Sequence, residues 1–221
     1  MKKLLVLSLG ALALVVNLTS CKKGENDPFL SLSSRKARLA GEWTVTKETR
    51  SSVDYGTIYV FNPMTFQYDP IDAKTVIETL YDGTVLTGTQ TQTSTSGTET
   101  DSYTPTTYTE TYSFEKDGTF THTVVNSDAS QEIEEGIWMF TGKNKDAELK
   151  KKEAISLSTT KNTNISPSGI SVVTSSTGFD GTVIRIDQLK KKEIVFVVEY
   201  SDINEKSQES TYIKTTTLTL K

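Results

Sequence analysis

The hydrophobic positions of this chain change period twice along its length. Leu4 to Val16 is an uncharged run of thirteen residues behind Lys2 and Lys3. A helix needs about 20 apolar residues to cross a bilayer, so this run suits the apolar stretch of an export signal instead. From Leu30 to Ala40, Leu30, Leu32, Ala37 and Leu39 alternate with Arg35, Lys36 and Arg38, which predicts a short amphipathic helix. Ser31, Ser33 and Ser34 are candidate N-caps, and Gly41 is placed to stop the helix.

After Gly41 the period becomes two, and Thr, Val, Ile, Tyr and Phe dominate, residues that fit a pleated, half-buried surface. Strands are predicted over Trp43–Glu48, Thr57–Phe61, Thr75–Tyr81, Tyr108–Phe114, Phe120–Val124, Gly136–Thr141, Ala154–Thr159, Ile170–Thr174, Val183–Asp187, Ile194–Tyr200 and Tyr212–Leu220. That is about ten strands at the spacing of a sandwich or barrel. Tyr108, Tyr112 and Phe114 share one face; Phe120, His122 and Val124 share another. Asp-Gly-Thr recurs at Asp82, Asp117 and Asp180, and Asp-Gly tolerates the positive φ that tight hairpins require. Lys190-Lys191-Lys192 lies between two apolar runs and reads as a solvated turn rather than an anion site. Residues 84–107 are mostly Thr, Ser, Gln and Gly, and cannot bury a core face alone. They are expected to form a long polar hairpin excursion of low order.

Charge and composition narrow the function. The chain has 221 residues, one His, one Cys and a net charge of −4. One Cys makes no internal disulfide, one His builds no multi-histidine metal site, and an acidic balance argues against a nucleic-acid partner. The single cysteine stands in Leu18-Thr19-Ser20-Cys21, which matches a bacterial lipobox. Residues 1–20 are therefore expected to be a lipoprotein signal peptide, with Cys21 lipidated as the new N-terminus. Removing the signal takes Lys2 and Lys3 and no acid, so the net charge moves from −4 to −6. Acyl chains at about 0.8 kcal/mol per buried CH₂ give stable anchoring. Residues 21–29 carry Lys22, Lys23, Glu25 and Asp27 without apolar periodicity, and read as a flexible tether. Such charges after the lipidated cysteine resemble surface-export signals of Bacteroidota lipoproteins. The expected location is the cell envelope, anchored to the outer membrane at its periplasmic face or at the cell surface.

Residues 30–221 carry a further set of patterns. Leu39-Ala40-Gly41-Glu42-Trp43 places a Gly-x-Trp after the predicted helix. Tyr112 to Phe120, Gly136-Ile137-Trp138-Met139-Phe140, and Ile186 to Phe196 follow in order. Together these resemble the lipocalin-like domains of Bacteroidota lipoproteins. The resemblance implies an up-and-down antiparallel barrel of about eight to ten strands, with Gly41 and Trp43 closing one end under the helix. Residues 84–107 depart from the pattern. The usual lipocalin arginine near the last strand is also missing, and Lys214 is the nearest cation there. A closed barrel removes exposed sheet edges and leaves room for side chains or one small ligand.

No nucleophile elbow, phosphate loop, dinucleotide fingerprint or calcium loop is present. His122 lies mid-strand between threonines and reads as a packed or ligand-lining residue rather than a base. Glu132 and Glu134 share a strand face that could hold a cation, although with Glu135 they read more simply as exposed acids. A non-enzymatic binding module without cofactor or metal is expected. It would take a small apolar or amphipathic ligand among Tyr112, Phe114, Phe120, His122, Trp138, Phe140, Phe196 and Tyr200. The alternative is a filled barrel that binds another envelope component through its outer face or the 84–107 loop. A lined cavity of about 300 Å³ or more separates the first reading from the second.

Overall fold

The computed structural model describes residues 34–142, 153–175, 181–204, 206 and 208–221. The expected signal peptide, Cys21 and the tether lie outside them. Among the described residues, one short helix, α1 (Arg35–Leu39), precedes twelve strands. The strands are β1 (Gly41–Asn62), β2 (Gln67–Tyr81), β3 (Val85–Ser94), β4 (Gly97–Ser102), β5 (Thr106–Phe114) and β6 (Thr119–Asn126). They continue with β7 (Gln131–Phe140), β8 (Ala154–Ile165), β9 (Ser171–Ser175), β10 (Thr182–Leu189), β11 (Glu193–Ile203) and β12 (Glu209–Leu220).

The strands pair antiparallel in chain order, and β12 returns to β1 from Trp43↔Leu220 to Val53↔Thr211. The β8–β10 pairing completes the circuit, leaving β4 and β9 off it as the outer arms of hairpins. The result is a closed antiparallel β-barrel of ten strands. Its base is narrower than its rim. At the base β1 pairs directly with β5, from Gly41↔Phe114 to Thr44↔Thr111. The β2–β3 hairpin enters between these two strands only above the Glu48↔Tyr81 pair. Losing two strands shrinks the circumference, so side chains fill the base while space remains above it.

Trp43, Phe114, Ile155, Leu189, Ile194 and Leu218 are fully buried in the base. The helix caps them. The Ser34 hydroxyl accepts from the Ala37 N–H at 3.1 Å, Leu39 is buried, and the Arg38 guanidinium donates to the Leu189 carbonyl. Leu30 to Ser33, the first part of the expected helix, lie outside the described residues. The Trp43 indole N–H donates to the Leu39 carbonyl at 2.8 Å and ties the first strand to the helix. Gly41 makes the corner between them with a φ of +149°, and a Cβ there would stand 2.9 Å from Leu220 Cδ1. Both causes select glycine.

Two expectations change. Trp43–Glu48 and Thr57–Phe61 belong to one long strand, because Thr49 to Val53 pair on both sides, with β12 and β2, and Asp54 to Gly56 continue the pairing with β2. Residues 84–107 contain two regular strands, β3 and β4, rather than a segment of low order. Their backbone pairs from Thr89↔Ser102 to Ser94↔Gly97, so hydrogen bonding supplies the order that side-chain burial does not. The Asp82 and Asp117 turns form as expected. Each aspartate accepts from backbone N–H groups that follow it, and these bonds hold its carboxyl below the usual range.

Candidate ligand cavity

Above the packed base the barrel encloses a cavity of about 420 Å³. Its lower wall is apolar: Tyr112, Phe120, Leu157, Ile184 and Phe196, with Val198 above them. Higher up the lining turns polar, with His122, Glu134, Thr159, Thr182, Lys214 and Thr216, and the stacked pair Tyr200–Tyr212 stands at the upper level. Strand alternation sets which side chains face this space. Successive inward positions on β6 are Phe120 and His122, and on β12 they are Thr216, Lys214 and Tyr212.

His122 is the centre of one polar cluster. Its Nδ1 lies 2.9 Å from Glu134 Oε2 and its Nε2 lies 2.9 Å from Glu110 Oε1. The Tyr112 hydroxyl donates to the same Glu110 oxygen at 3.1 Å, and its ring stacks on the imidazole at 4.3 Å. A carboxylate accepts and cannot donate, so both ring nitrogens must carry protons. Burial works against the charged ring, but the bonds to Glu110 and Glu134 outweigh it and push the pKa up to about 9. Burial pushes Glu110 up, but the bond and charge of His122, with help from Lys214, hold it below its ordinary value. The His122 bond lowers Glu134 too. Burial first, and then the neighbouring carboxylates, raise the Tyr112 hydroxyl and keep it a donor.

A second cluster centres on Glu48, which is 3% exposed. Lys214 Nζ lies 2.7 Å from its Oε2, the Thr216 hydroxyl donates to that oxygen at 3.3 Å, and Arg50 Nη2 is 3.6 Å from Oε1. A bulge in β1 between Val45 and Lys47 creates the site. Trp43 and Val45 face inward below it. The extra residue reverses the phase, so that Glu48 and Ser52 are the buried ones above it.

Five of the eight expected interior residues line the cavity: Tyr112, Phe120, His122, Phe196 and Tyr200. Phe114, Trp138 and Phe140 are not among its lining residues. Phe114 and Trp138 are buried and Phe140 packs against them, because the base is narrow enough for facing aromatics to touch. The acids at 132–135 are not simply exposed. Glu134 binds His122, Glu132 accepts from Asn162, and Glu135 pairs with Lys161. Lys214 sits in the cavity wall rather than at the closed end, where Arg38 donates to the Leu189 carbonyl.

Sequence reading missed Glu48, Glu110 and Lys214. Glu110 shares the two-residue phase of Tyr108, Tyr112 and Phe114 and was there to be found. Glu48 was hidden by the bulge. Among the described residues no group of three His, Cys, Asp or Glu is arranged to hold a metal ion.

The fold and site together define a closed antiparallel barrel with an amphipathic internal cavity. No family model matches the chain, and no curated protein matches it. A crystal structure of Rv2717c from M. tuberculosis is similar at a TM-score of 0.25 and 14% identity, over 86% of this chain and 99% of that one. At that level no argument about this chain rests on it.

Proposed function

We propose that this protein is a lipid-anchored lipoprotein of the bacterial envelope. In this reading its barrel, of lipocalin-like type, holds one small amphipathic ligand and catalyses no reaction. The observation that carries the binding reading is the cavity of about 420 Å³, apolar below and polar above. It falls in the range of small-molecule sites, about 300–1,000 Å³. A filled barrel would have carried the other reading, in which the outer face binds a partner. The lipobox at Leu18 to Cys21 supports the anchor, and the ordered aromatic and glycine patterns support the lipocalin-like assignment.

The test is titration of the full-length chain with an amphipathic fluorophore that brightens in apolar surroundings. Saturable one-to-one binding is expected. Leu157→Trp places bulk in the cavity and should abolish it while the far-UV circular dichroism stays unchanged. Binding that survives this substitution, or fails to saturate in the parent chain, overturns the reading. The anchor is tested separately by metabolic labelling with a fatty acid, which Cys21→Ser should eliminate.

A further inference from the structure

The two polar clusters carry opposite net charge and meet at one cavity. Glu134, His122 and Glu110 sum to −1, because the geometry fixes a cationic ring between two carboxylates. Lys214, Glu48 and Arg50 sum to +1. Glu134, His122 and Lys214 line the cavity itself, while Glu48 and Glu110 are buried behind them. Both nitrogens of His122 are consumed by carboxylates, so its ring offers a ligand no N–H. Glu134 uses Oε2 on His122 and keeps Oε1 as an acceptor. Lys214 has three N–H donors and gives one direction to Glu48.

A ligand therefore meets an acceptor on the side of β7 and a cationic donor on the side of β12. A simple anion gains Lys214 but is set against the negative cluster. A simple cation gains Glu134 but is set against the positive one. An uncharged head leaves the second oxygen of Glu134 and the remaining Lys214 N–H groups without a charged partner in the cavity, and poorly paired polar groups are costly where water is displaced. A head bearing one positive and one negative group satisfies both walls, with its apolar part on Tyr112, Phe120, Ile184, Leu157 and Phe196 below.

We propose that the cavity selects a zwitterionic amphiphile, its cationic group on Glu134 and its anionic group on Lys214. This deepens the binding reading above and rests on it. The test uses four ten-carbon probes that differ only at the head: decanoate, decylamine, decanol and 2-aminodecanoate. Each is titrated calorimetrically into the full-length chain at neutral pH. The zwitterion is expected to bind about ten-fold or more tightly than any of the others. Lys214→Met should remove that advantage and favour decylamine; Glu134→Gln, which keeps the size of the side chain and an oxygen to accept from His122 but turns the free acceptor into a donor, should remove it and favour decanoate. Equal or tighter binding of decanoate, decylamine or decanol to the parent chain overturns the ligand class while leaving a binding cavity. An unchanged preference order in both folded variants overturns it too. Silence of all four probes overturns the binding reading itself.

Discussion

His122 is the residue on which the interior charge pattern turns. Its neighbours are Glu110 on β5, Glu134 on β7 and Tyr112, whose ring stacks on it, while Lys214 on β12 acts on Glu110. In the folded barrel it holds its proton up to a pH of about 9, against about 6.5 for an unperturbed ring. Its contribution to stability is therefore complete below about pH 6.5 and is lost as pH rises through about 9. Glu110 and Glu134 are lowered, so their contribution is present above the ordinary glutamate value and is lost as pH falls through their folded values. The melting temperature should decline between pH 6.5 and 9.5. Leucine at 122 should abolish that decline and, by leaving two carboxylates unpaired, cost about 3 kcal/mol at pH 7 in chemical denaturation. A decline that persists in H122L assigns it to other groups.

Gly136 shows the same dependence on close fit without charge. A Cβ there would lie 2.1 Å from the Ser158 carbonyl oxygen and 2.7 Å from Phe120 Cε1. Backbone on one side and a packed ring on the other leave nothing free to yield. Gly136→Ala should destabilise by about 1–3 kcal/mol or more, measured by urea unfolding. A neutral result would show that β8 shifts at its bulge to accept the methyl group.

At the scale of elements the barrel separates into a circuit that bears the fold and hairpins that extend from it. The β3–β4 hairpin departs from the circuit at Gly88, whose carbonyl accepts from the Tyr103 N–H at 2.9 Å. Every residue of β4 is exposed. Below that point Val85↔Thr107 and Leu86↔Thr106 keep β3 joined to β5. Replacing residues 90–101 by a two-residue Asn-Gly turn should leave the melting temperature within a few degrees and the fluorophore affinity unchanged. Loss of folding would show that the excursion supports the rim.

Element identity was mostly legible because alternation is a direct reading of the pleat. Phe120, His122 and Val124, or Ile194, Phe196 and Val198, announce strands wherever one face meets a core. The signal fails in two places. Polar residues on both faces, as in residues 87–94 of β3 and in β4, where threonine alternates with Gly, Gln, Ser or acids, carry strand tendency without amphipathicity, so the pairing shows in hydrogen bonds rather than in the pattern. A bulge also moves the phase by one residue, which is why Glu48 could not be placed although Trp43 and Val45 were. The candidate site divides along the same line. The aromatic wall follows from phase, whereas the ion pairs join residues as far apart as Glu48 and Lys214, and only the register of β1 against β12 brings these together.

For the whole molecule the decisive feature is a strand circuit narrower at the base than at the rim. The base is filled by Trp43, Phe114 and Trp138 under α1, which leaves the space at mid-height. The polar clusters face that space rather than a solid core. Their charges are matched pair by pair within the protein but not wall by wall, so the lumen keeps a direction that a bound molecule can read.

The claim that this lumen holds a ligand is tested most directly by native mass spectrometry of the full-length protein, isolated without prior denaturation, with chemical identification of any bound small molecule. The account predicts one molecule per chain, amphipathic and zwitterionic, absent from Leu157→Trp. A homogeneous apo mass, with added amphiphiles failing to shift it, would contradict the account and leave the barrel as a scaffold for contacts on its outside.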